Sequence, residues 1–131
     1  MIKLKGWIIM LLISLSLFGL SACQDGNNAT YEQITPGQAK TIMDTESQYI
    51  IIDARTTEEF AEGHIENAIL IPEYEIADRA EKELPDKDAL ILVYCRSGRR
   101  SKIASEELVK LGYTNVKEFG GIIDWPYDVV K

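Results

Sequence analysis

The stretch Val93–Ala104, VYCRSGRRSKIA, sets Cys95 at the end of an apolar run and follows it with Arg96, Arg99, Arg100 and Lys102. Cysteine attacks as the thiolate, and with a free pKa of about 8.5 only a few per cent is ionised at neutral pH. Neighbouring positive charge and backbone N–H donors favour the anion, so the grouping predicts an activated nucleophile at Cys95. Gly98 can take a positive φ and curl successive N–H groups inward as an anion nest, to which a following helix adds its positive end. Guanidinium groups offer paired planar donors to an oxyanion. Arg96, Ser97, Gly98, Arg99 and Arg100 are therefore the expected substrate-binding residues, with Lys102 expected at the surface.

Elsewhere the chain offers less chemistry. His64 is its single histidine, so a cysteine–histidine hydrolase would have to recruit it. One histidine and one free thiol make no recognisable ligand set, and neither a metal nor a cofactor is expected. Asp53, ending an apolar run, reads as a capping or ion-paired carboxylate rather than a general base. Arg55 is a further candidate for the substrate site, with a structural role as its alternative. Trp125, after Gly120 and Gly121, reads as a core or lid-packing aromatic.

A loop of this kind needs a strand before it and a helix after it. Ala89–Tyr94 (ALILVY) is apolar without alternation, which implies a strand buried on both faces in the middle of a parallel sheet. Ser101–Leu111 places Ile103, Ala104, Leu108 and Leu111 on one side of a helix that Gly112 would end. Cys95 then sits at the carboxyl end of a central strand, where open α/β sheets bind ligands. Upstream, Thr35 and Pro36 read as N-cap and first position of a helix to about Met43. Tyr49–Asp53 (YIIID) is a strand, and Thr56 with Glu59 has capping-box spacing for a short helix stopping at Gly63. Ala68–Ile71 is a strand closed by Pro72, Glu73–Glu83 a charged helix with Ile76, Ala80 and Leu84 inward, and Val116–Phe119 a last strand. The alternation is that of an α/β fold with helices on both sheet faces.

A length of 131 residues suits one domain. Met1–Ala22 opens with Lys3 and Lys5, continues through WIIMLLISLSLFGL and ends in small residues, the layout of an export signal. Leu20, Ser21, Ala22 and Cys23 resemble the lipobox of bacterial lipoproteins, which implies lipidation of Cys23 and attachment to a membrane by its acyl chains. An uncleaved signal anchor and ordinary secretion are the alternatives; the lipoprotein and the anchor both place the domain in the cell envelope, facing outside the cytoplasm. The expected organisation is a signal peptide at 1–22, a lipidated tether at 23–30 and the domain at 31–131. Loss of residues 1–22 removes two lysines and no acids, taking the net charge from −7 to −9. That balance does not suit nucleic acid or an anionic lipid surface. With Cys23 lipidated, Cys95 has no disulfide partner, and a free thiol in an oxidising compartment points to a use for it.

Three segments, IIDARTTEEFAEGHI, VYCRSGRRS and FGGIIDW, together with the short strand ending in Pro72, resemble the single-domain rhodaneses, which are sulfurtransferases. The resemblance spans about Tyr31–Trp125. It implies a rhodanese-like fold around a mainly parallel sheet of about five strands. It also implies that Cys95 takes a sulfane sulfur from a small anionic donor such as thiosulfate, becomes a persulfide, and passes the sulfur to a thiol or cyanide acceptor, a protein acceptor included. Residues Arg96 to Arg100 would cradle the terminal sulfur with backbone N–H groups, while Asp53 and Arg55 would be mainly architectural and His64 structural. Cysteine-based phosphatases that share this fold need arginine six positions after the cysteine, in a loop one residue longer. Here that position is Ser101, and the arginines stand at plus four and plus five. The loop therefore favours sulfur transfer over phosphatase or arsenate chemistry. The other alternative is a module that relays sulfur or docks a partner without turnover.

Overall fold

The computed structural model describes residues 30–131. The expected signal segment, the lipidation site Cys23 and the tether up to residue 29 lie outside the described residues. The elements are β1 (Glu32–Gln33), α1 (Pro36–Thr45), β2 (Ile50–Asp53), α2 (Thr57–Glu62), β3 (Ile69–Leu70), α3 (Ile76–Glu83), β4 (Ile91–Cys95), α4 (Arg99–Lys110) and β5 (Val116–Gly121). Short 3-10 turns at Glu73–Glu75 and Ile122–Asp124 follow β3 and β5. The five strands form one sheet in the order β1-β5-β4-β2-β3, and all their pairings are parallel.

The central strand explains its own sequence. Ile91, Val93 and Cys95 point into a core closed by Ile76 and Ala80 of α3 and by Ala104 and Leu108 of α4. Leu92 and Tyr94 point the other way, into a core with Ala39 of α1, Phe119 and Trp125, with Phe60 of α2 packed against it. Both faces of β4 are thus covered, and all of its residues are buried. Polar atoms set the ends of the helices. Thr35 and Thr56 each accept the N–H of the third residue on, and Gln38 and Glu59 reach back to the cap N–H groups, forming capping boxes on α1 and α2.

Some boundaries differ from the sequence reading. α1 runs on to Thr45, and the Glu73–Glu83 segment divides into a 3-10 turn and α3, with Arg79 bridging Glu75 at 3.2 Å and Glu83 at 2.7 Å. β4 ends at Cys95 itself, and α4 begins at Arg99 because Gly98, at φ 105°, already serves as its N-cap. β1 was not anticipated; its two residues are exposed and carry no apolar signal. Among the described residues no helix is long and apolar enough to cross a membrane.

Candidate active site

Cys95 is the last residue of the central strand and is 1% exposed. The chain turns directly beneath it: the Gly98 N–H donates to Cys95 Sγ at 3.0 Å. That return requires the left-handed backbone of Gly98, a conformation a side chain would strain. No side chain caps α4, so the N–H groups of its first turn are free to face an anion at the loop.

The loop rests on β5. Cys95 pairs with Gly121 across an irregularity in the β4–β5 register, and the Ile123 N–H donates to the Arg96 carbonyl at 3.2 Å. A Cβ on Gly121 would fall 2.0 Å from the Arg96 carbonyl oxygen and 2.5 Å from Ser97 Cα. Glycine is needed there for close approach, since its φ of −126° is ordinary.

The arginines divide. Arg96 and Arg99 are exposed, as is Ser97. Arg100 is half-buried and grips Glu59 of α2 with two parallel bonds, Nη1 to Oε1 at 2.6 Å and Nη2 to Oε2 at 2.9 Å. Its hydrogen bonds and charge hold the Glu59 carboxyl down to about 2, well below its ordinary value. Lys102 is exposed on α4. Ser101, at the position where the phosphatase pattern has arginine, is fully buried and bonded inward, at 2.6 Å from Glu118 Oε1.

Arg55 is committed to a buried ion pair. It is 5% exposed, and its guanidinium binds Asp53 through Nε at 3.0 Å and Nη2 at 2.8 Å, with Nη2 also donating to the Gly63 carbonyl at 2.6 Å. Tyr94 completes this group. Its hydroxyl donates to Asp53 Oδ2 at 2.8 Å and accepts the Ile65 N–H at 3.1 Å. Burial, then the Asp53 charge, pushes the Tyr94 hydroxyl far above its ordinary range and keeps it a donor. The cluster joins β2 and β4 to the Gly63–Ile65 segment. His64 stacks on Phe60 with ring centroids 3.6 Å apart, sets its Nδ1 2.9 Å from the Phe60 carbonyl and exchanges backbone hydrogen bonds with Val130, a structural use of the ring and its backbone. Trp125 is 9% exposed and packs on Phe119.

Two residues at the site were not singled out from the sequence. In the sequence Glu59 reads only as a capping residue, and nothing local links it to Arg100, 41 positions on. Glu118 did leave a signal: strand alternation puts it on the same side as Val116, an inward position. Cavities of about 970 and 470 Å³ occur elsewhere, the first at the amino ends of β2 and β4, the second between α1 and residues 125–128. Neither contains Cys95.

Comparison with known proteins gives the family. The family model of the rhodanese-like domain matches residues 35–126. The chain is 40% identical over 80 residues to a thiosulfate sulfurtransferase of Escherichia coli, covering 61% of this chain and 77% of that protein. It is 40% identical over 88 residues to a sulfurtransferase of Allochromatium vinosum, covering 66% and 79%. It is 36% identical over 104 residues to an adenylyltransferase and sulfurtransferase of Candida albicans, which covers 74% of this chain but only 24% of that longer protein. Among solved structures, a rhodanese with anions from E. coli superposes with a TM-score of 0.60 at 38% identity, over 63% of this chain and 98% of that one. A rhodanese-related protein from Thermoplasma volcanium gives 0.66 at 33%, over 76% and 98%. The chain belongs to the rhodanese-like family, and its relatives support a sulfurtransferase or sulfur-relay role.

Proposed function

We propose that the protein is a thiosulfate sulfurtransferase that works through a persulfide on Cys95. The observation that carries this reading is the Cys95–Gly98 loop. It ends the central strand, aims the Gly98 N–H at sulfur from 3.0 Å, and opens onto the uncapped first turn of α4. In the first step the Cys95 thiolate attacks the outer sulfur of thiosulfate. A Cys95–sulfur bond forms, the S–S bond of the donor breaks, and its electron pair leaves with sulfite. In the second step a thiolate or cyanide attacks the outer sulfur of the persulfide and returns the electron pair to Cys95. The transferred sulfur carries its own oxidising equivalents from donor to acceptor, so neither step needs an external oxidant or reductant.

The roles follow from placement. Backbone N–H groups of residues 96–100 hold the anionic terminal sulfur between steps. Arg96 and Arg99, exposed at the rim, draw in an anionic donor, while Arg100 is committed to Glu59 and adds its charge from there. Arg55 acts through the Asp53 cluster as part of the frame. Turnover of thiosulfate with cyanide or a thiol tests the assignment. Cys95→Ser is expected to abolish it, and retained turnover would sink the reading.

A relay to a protein acceptor is the second reading. Ile123, whose N–H is bonded to the loop, is 62% exposed, and a putative sulfur carrier protein of Bacillus subtilis is 32% identical over 100 residues. Mass spectrometry after thiosulfate treatment separates the two. One added sulfur on Cys95 without multiple turnover indicates the relay, and rapid turnover with small acceptors indicates the enzyme. The export reading keeps its own test: a lipid adduct on Cys23, and release of the protein from membranes by Cys23→Ala. An unprocessed Cys23→Ala chain that stays in the membrane would favour the signal anchor.

A further inference from the structure

Glu118 faces the core beneath α4 with 3% exposure, where a carboxylate is costly unless bonded. Its Oε1 accepts the Gly120 N–H at 2.7 Å and lies 2.6 Å from Ser101 Oγ. The same hydroxyl is 3.0 Å from the Gly98 carbonyl, 3.4 Å from the Gly120 carbonyl and 3.3 Å from Cys95 Sγ. A hydroxyl has one hydrogen to give. Among these acceptors the carboxylate is the nearest and carries the charge, so the hydrogen goes to Glu118. Ser101 is left with lone pairs for Cys95, whose S–H donates to them. This arrangement fits a thiol. A thiolate would have to take the serine's only hydrogen away from Glu118.

We propose that Glu118, acting through Ser101, is a positioning residue that favours the thiol form of Cys95 and so sets the pH at which the sulfur becomes nucleophilic. It rests on Cys95 being the sulfur carrier. On ionisation the S–H proton leaves to solvent, the Ser101 hydrogen turns from Glu118 Oε1 to Sγ, and Glu118 keeps the Gly120 N–H. The opposing influences around Cys95 are the Gly98 N–H, Arg100 of α4 bound to Glu59 of α2, and Arg96 and Arg99 at the rim. On β2, Asp53 is bound to Arg55. All of these are shared by the variants below, so differences between the variants report on the Ser101–Glu118 pair.

The test is the pH dependence of iodoacetamide alkylation of the full-length protein. It is followed by mass spectrometry on the tryptic peptide Asp88–Arg96, which separates Cys95 from Cys23. Glu118→Gln and Ser101→Ala are each expected to lower the pH midpoint by about one unit, with the double variant going no lower than either single one. Native folding is checked by circular dichroism. A midpoint that stays or rises in either folded single variant overturns the proposal. Additive shifts overturn it as well, because Glu118 would then act by its field and not through the serine. Should Glu118→Gln fail to fold, Ser101→Ala decides alone: a fall supports the proposal and a rise or no change sinks it. Alkylation involves no sulfur donor, so this outcome is independent of the turnover test on Cys95→Ser.

Discussion

Two glycines make the Cys95 loop, for different reasons. At Gly98 the backbone itself forbids a side chain, because φ is 105°. Gly98→Ala is expected to cost roughly 1–2 kcal/mol of stability from the left-handed geometry. At Gly121 the backbone is ordinary and the obstacle is a neighbour, the Arg96 carbonyl, 2.0 Å from where Cβ would stand. That oxygen belongs to main chain and cannot swing aside, so Gly121→Ala must push the Arg96–Ser97 peptide away from β5. The overpacking should cost about 1–3 kcal/mol. The two variants are told apart by combining urea denaturation with persulfide loading of Cys95. Gly121→Ala is expected to lose loading beyond its loss of stability, since it moves the residues that hold the sulfur. Loading that survives in a well-folded Gly121→Ala protein would show that the loop tolerates displacement.

At the scale of elements, α2 and α4 pack on opposite faces of the sheet, and the Arg100–Glu59 pair joins them across its carboxyl rim. Because Arg100 lowers the Glu59 carboxyl from 4.5 to about 2, the pair's contribution is fully present above about pH 4.5 and lost as the pH falls toward 2. Glu59→Gln is expected to destabilise by on the order of 1–2 kcal/mol at pH 7, the side chains being partly screened by solvent. The gap between variant and parent should close in urea titrations repeated near pH 2; a gap independent of pH would assign it to the capping box instead. One end of this arrangement is legible in the sequence. Local grammar, such as Thr35–Pro36, Thr56 with Glu59, Gly63 and Gly112, placed α1, α2 and the end of α4 because those signals act within a few residues. The run ALILVY revealed the buried strand for the same reason. What escaped depends on tertiary position: β1, two exposed residues whose strand pairing and Glu32–Lys117 ion pair both need β5 alongside, and the partners Glu59 and Arg100, which meet only when the sheet brings its faces to one rim. Glu118 fell between, marked by alternation but assigned its neighbour Ser101 only by the fold.

For the whole molecule, the formal charge of −7 opposes the anionic donor that the proposed reaction uses. Arg96 and Arg99 stand exposed beside the cysteine, so attraction is short-range while repulsion comes from the rest of the surface. Salt screens both, but over a Debye length of about 10 Å at 0.1 M it removes the distant repulsion more completely than contacts in the loop. Neutralising the rim arginines should therefore change the sign of the salt effect as well as the rate. Arg96→Gln/Arg99→Gln is expected to lower kcat/KM for thiosulfate on the order of tenfold at low salt, with KM carrying most of the change. Added sodium chloride should then raise kcat/KM in the double variant and lower it or leave it flat in the parent. A neutral acceptor varied under the same conditions gives the control, since its step lacks the repulsion. Parallel salt dependence in the two proteins would mean that the donor is captured by the backbone N–H groups alone, with the rim arginines as bystanders.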